Sequence, residues 1–110
     1  MFVKENNMID NNKIEKLIEE RKKLYPDDYR VLEKWNELTQ IFTRNEEDTI
    51  VYLNSCCRQN IEWISEIFED ISNQLQSPGF IDCIEKLAIK YPDLNLEQDI
   101  LYAKKALEHY

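Results

Sequence analysis

Residues 60–99 read NIEWISEIFEDISNQLQSPGFIDCIEKLAIKYPDLNLEQD. Ile61, Ile64, Phe68, Ile71 and Leu75 recur at helical spacing, with Ile67 beside them, which predicts a helix over roughly Asn60–Leu75. Glu62, Glu66, Glu69 and Asn73 fall on a different face, and Asp70 widens that acidic stripe. Ser77-Pro78 then starts a new helix, with Ser as N-cap and Pro at the first helical position. Its apolar set is Phe80, Ile81, Ile84, Leu87, Ala88 and Tyr91, and Tyr91-Pro92-Asp93 ends it. Asn95 is the expected cap of a last helix carrying Leu96, Ile100, Ala103 and Leu107.

The preceding residues extend the pattern. Ile14, Leu17, Ile18 and Leu24 predict a first helix over roughly Asn12–Leu24, stopped by Tyr25-Pro26-Asp27. A second is expected over roughly Asp28–Phe42, with Leu32, Trp35, Leu38 (or Thr39) and Phe42 as its stripe. A third opens at Asn45, a good N-cap, with Glu46, Glu47 and Asp48 in its first turn, where acid suits the helix dipole. Ile50, Leu53 and Cys57 are its expected buried side, flanked by Val51 and Tyr52. Tyr-Pro-Asp recurs at 25–27 and 91–93, each time between two helices. A chain of 110 residues with one glycine and three prolines has few turn formers for an all-β fold. The expectation is therefore one compact all-α domain over residues 1–110, with five to six antiparallel amphipathic helices and disorder over about residues 1–10.

Charge is unevenly placed. The net charge is −8. Residues 1–44 balance acids against bases, so residues 45–110 carry the whole excess. Such a field repels nucleic acid and anionic membranes and attracts cationic partners. Solubility alone is the plainer explanation of the same charge. No leader or membrane-length apolar run is visible, and Cys56, Cys57 and Cys83 suit reduced thiols, so a cytoplasmic protein is expected.

Catalytic chemistry has little to stand on. His109, the one histidine, sits next to the last residue, and Gly79, the one glycine, rules out a glycine-rich phosphate loop. Cys56, Cys57, Cys83 and His109 match no zinc spacing. Glu66, Glu69 and Asp70 lack the Glu-x-x-His pair of carboxylate-bridged metal sites and read as a solvated face. No catalytic residue, metal or cofactor is expected. Trp63, between the apolar and acidic faces, reads either as a core-edge residue or as an interface anchor ringed by acid.

Trp63-Ile64, Ile67-Phe68-Glu69-Asp70-Ile71, Leu75, Phe80-Ile81, Leu87, Lys90-Tyr91-Pro92-Asp93, Ile100 and Ala103 together carry a resemblance. Over about residues 50–107 the chain resembles the C-terminal half of small helical immunity proteins. These accompany polymorphic bacterial toxins, including those of contact-dependent growth inhibition. The resemblance implies a protein that binds and neutralises a cognate toxin C-terminal domain, with a basic nuclease as the expected target. Under it, the expected contact residues are Glu46, Glu47, Asp48, Glu62, Trp63, Glu66, Glu69 and Asp70. The competing expectation is an acidic helical adaptor or regulatory protein that binds a basic partner of its own cell, such as a DNA-binding protein. Ile89 and Leu101 are apolar positions that would serve either a homodimer contact or the core.

Overall fold

The computed structural model describes residues 9–108. Seven α-helices lie in this span: α1 (Asn11–Lys22), α2 (Arg30–Phe42), α3 (Glu46–Ser55), α4 (Arg58–Ile64), α5 (Phe68–Leu75), α6 (Pro78–Lys90) and α7 (Glu97–Lys105). A 3-10 turn (Ser65–Ile67) joins α4 to α5 without a gap, so the seven segments make six rods. The fold is all-α, with no strand among the described residues.

Local chemistry explains most of the boundaries. Asn45 Oδ1 accepts from the Asp48 amide at 2.9 Å, and Ser77 Oγ accepts from the Phe80 amide at 2.9 Å. Both caps stand where the sequence places them. Ser77 Oγ also donates to Glu46 Oε2, which ties the start of α6 to the start of α3. A Cβ on Gly79 would come within 2.7 Å of that same carboxylate oxygen, so a larger residue there would push the Glu46 side chain from its place. The two Tyr-Pro-Asp corners share one hydrogen bond. The Tyr25 carbonyl accepts from the Asp28 amide at 2.9 Å, and the Tyr91 carbonyl from the Leu94 amide at 3.1 Å.

Four expectations change. Disorder over about residues 1–10 lies mostly outside the described residues, but Asp10 caps α1 by accepting from the Lys13 amide, and Ile9 packs against the core. In α2 the buried stripe runs through Val31, Leu38, Thr39, Ile41 and Phe42, while Leu32 is 58% exposed. In α3 Thr49, Tyr52 and Leu53 turn inward and Val51 faces solvent, while Cys57 falls past the end of α3, exposed before α4. Thr49 Oγ1 donates to the Phe42 carbonyl at 2.6 Å, and this bond at the end of α2 sets the roll of α3. Asn95 caps nothing: it adopts the left-handed conformation (φ 56°) that closes a second 3-10 turn, Pro92–Leu94, and Leu96 precedes α7. Asparagine tolerates that conformation better than most residues.

The contacts fix the topology. Lys34 meets Glu20 and Lys104 meets Glu85, so the sequential pairs α1/α2 and α6/α7 run antiparallel. Glu46 meets Ser77 and Asn54 meets Cys83, so α3 and α6 run parallel. Ser72 Oγ donates to the Ala103 carbonyl at 2.6 Å and Gln76 to the Ala106 carbonyl, so α5 and α7 run parallel as well. A single core fills the centre, with Phe42, Phe68, Phe80, Ile61, Ile64 and Ile84 fully buried. Phe68 and Phe80 meet edge to face, 6.0 Å between centroids.

Ser77 both caps α6 and holds Glu46. Ser77→Ala should therefore cost more than an ordinary cap, about 1–2 kcal/mol in urea unfolding. A loss no greater than that of an exposed serine would contradict this double role.

Candidate functional site

The acidic face expected on one long helix is not a single stripe. Ser65 Oγ donates to the Glu62 carbonyl at 2.6 Å, and the Phe68 amide bonds to the Ser65 carbonyl in the 3-10 pattern. Ile67 leaves the helical region at φ −117° and ψ 16°. The helix expected over Asn60–Leu75 is thereby kinked. Glu66 lies in that turn, its side chain 28% accessible, and reaches across to α1.

Glu66 meets Arg21 of α1. Arg21 Nε donates to Oε1 at 2.9 Å and Nη2 to Oε2 at 2.7 Å, a two-pronged guanidinium–carboxylate contact. Trp35 Nε1 of α2 donates to the same Oε1 at 2.8 Å. The Arg21 guanidinium also lies over the Trp63 ring, 5.1 Å from its centroid. Arg21 keeps only 6% of its exposure, and its remaining prong reaches the Leu24 carbonyl. One charge pair and two tryptophans thus join α1, α2 and the kinked rod. Asp99, at the start of α7, stands beside this group. Burial raises its carboxyl above the usual range, the neighbouring Ser65 opposes that shift, and the charge of Glu66 adds to it.

The other expected contact residues fall into two places. Glu69 and Asp70 occupy the first turn of α5 and Glu62 stands in α4, all three exposed. Glu46, Glu47 and Asp48 occupy the first turn of α3. Glu46 is held by Ser77, just past the far end of α5, while Asp48 is half-buried and Glu47 exposed. At 1.5 Å per residue, the length of α5 separates the two groups by on the order of 10 Å. Glu47, Glu62, Glu69 and Asp70 belong to no ion pair among the described residues. Trp63 remains half-buried and is committed to Arg21.

Sequence reading missed Arg21, Trp35 and Asp99 as partners of this region. The available signal was an arginine at the apolar spacing of α1: Ile14, Leu17, Ile18 and Arg21 share one buried face.

No group of His, Cys, Asp and Glu among the described residues is arranged to hold a metal ion, and His109 lies outside them. Burial pushes the Cys56 thiol up to about 12 and raises that of Cys83, so neither is a ready thiolate. No helix among the described residues is long and apolar enough to cross a membrane. Comparison with known proteins finds no matching family model, no matching curated protein and no matching solved structure.

Two predictions follow from these placements. Glu66→Lys should destabilise the fold by about 3 kcal/mol or more, because it strands a buried guanidinium beside a second cation. Glu69→Lys with Asp70→Lys should shift stability by less than about 1 kcal/mol. Thermal or urea unfolding distinguishes them, and equal losses would contradict the division. A maleimide reagent should label Cys57 of the folded chain well before Cys56 and Cys83. Simultaneous labelling of all three would contradict the burial assigned to them.

Proposed function

We propose that this chain is an immunity-type protein that binds and neutralises a basic toxin domain, a nuclease as the first candidate, through exposed carboxylates. The observation that carries the reading is the sorting of its acid. Glu66 is consumed within the fold, whereas Glu47, Glu62, Glu69 and Asp70 face solvent without an ion-pair partner. Held on helices, these carboxylates present fixed negative charge, as a phosphate backbone does to a nuclease groove. The likeness of residues 50–107 to helical immunity proteins supports the same reading.

The proposed contact uses a narrower set of residues than the resemblance implies. Glu66 and Trp63 are both engaged by Arg21 and are left out of the primary contact. The carboxylates of Glu62, Glu69 and Asp70 are the primary contacts, and the group at the start of α3 makes a separate one. Long-range attraction speeds encounter, so affinity falls as salt rises.

The test is recovery of the tagged chain from its own cells at low salt, followed by titration of the purified partner. The expected partner is a basic toxin-type domain in one-to-one ratio. Its affinity should fall by about tenfold or more when Glu62, Glu69 and Asp70 are all changed to Lys, with unfolding unchanged. A partner whose binding ignores both salt and these three substitutions would overturn the proposal. A DNA-binding regulator in place of a toxin domain would replace it with the adaptor reading.

A further inference from the structure

α6 and α7 leave an apolar groove between them. Ala88, Ile89, Ile100 and Leu101 line it, its rim carries Glu85, Glu97 and Lys104, and its volume is about 590 Å³. Ile89 is 80% exposed and Leu101 44% exposed, so two large aliphatic side chains stand open on adjoining helices. Tyr102, 45% exposed, extends the apolar surface along α7. Elsewhere the apolar residues of these two helices are buried or partly buried. A contiguous open patch of this kind marks an interaction surface.

The charges along α7 identify its occupant. An exposed acid, Glu97, stands in the first turn and bases, Lys104 and Lys105, in the last, with Leu101 midway between Glu97 and Lys105. A helix charged in this way is complementary to itself when turned end for end. A two-fold axis at Leu101 lays one α7 antiparallel on another. It sets the acidic start of each against the basic end of its partner, with the helix dipoles opposed as well. Lys104 keeps its own contact with Glu85 in this arrangement, and the complementary charge comes from Lys105 too. The apolar centre is equally self-matching. Ile89 stands at the groove edge of each copy, in reach of the opposite groove.

We infer that the α6/α7 face is a homodimer interface, formed by two copies of this chain with antiparallel α7 helices centred on Leu101. The net charge of −8 on each copy opposes association at long range, so added salt favours the dimer until its local ion pairs are screened. The groove lining includes none of Glu62, Glu69 and Asp70, so the inference stands whether or not the toxin reading holds. A dimer would display two copies of those carboxylate groups.

Sedimentation of the full chain over a range of concentrations tests the inference. The expected result is a concentration-dependent rise toward twice the 13.3 kDa of one chain. Ile89→Glu should raise the dissociation constant by about tenfold or more, with helicity and unfolding midpoint unchanged, because Ile89 is exposed in the monomer. Glu97→Lys should weaken the dimer, and Glu97→Lys with Lys105→Glu should restore it, a recovery that a general loss of stability would not give. A chain that stays monomeric at every concentration overturns the inference. So does a dimer indifferent to Ile89→Glu.

Discussion

A buried guanidinium governs this molecule. With 6% of its exposure left, Arg21 must be met by a carboxylate or the fold loses stability. Glu66 meets it with both oxygens, Trp35 supplies a further donor to the same carboxylate, and Trp63 covers the guanidinium face. The kink at Ser65–Ile67 is what brings Glu66 to that position. The rod therefore bends where an electrostatic requirement of α1 demands it. In consequence one acid of the row is engaged by Arg21 and Trp35, while Glu62, Glu69 and Asp70 join no ion pair among the described residues.

Much of the acid that gives the chain its charge also serves its helices. Glu46, Glu47 and Asp48 open α3, Glu69 and Asp70 open α5, and Glu97 and Asp99 open α7. Each set lies at the positive end of a helix dipole. The same placement leaves most of these side chains in solvent, where they stay available to a cationic partner. A carboxylate at an exposed helix start is thus compatible with both stability and binding, whereas Glu66 is committed to stability alone.

The parts of this structure that depend on neighbours in sequence were legible from the sequence. Asn45 and Ser77-Pro78 cap as expected, because capping needs only the next three residues. The core of residues 61–107 follows its periodicity from Ile61 to Leu107. The failures have particular causes. Val31 and Leu32 adjoin, as do Val51 and Tyr52, and periodicity alone does not decide which member of such a pair turns inward. The partner of Arg21 lies 45 positions away, so no local pattern announces the pairing. Ser65 reads as an ordinary helical serine until its hydroxyl is seen to take the Glu62 carbonyl. What no local pattern announced is that Glu66, within the acidic row, is engaged by Arg21 and Trp35.

Whether Glu66 belongs to the fold or to the surface is the point on which the division of acids turns. A double-mutant cycle measures it most directly, with Arg21→Met, Glu66→Met and the pair compared by urea unfolding. Each single change should cost about 3 kcal/mol by leaving a charge unmatched. The double change should cost clearly less than their sum, a coupling of about 2 kcal/mol or more. Strictly additive losses would contradict the account, because Arg21 and Glu66 would then not depend on one another.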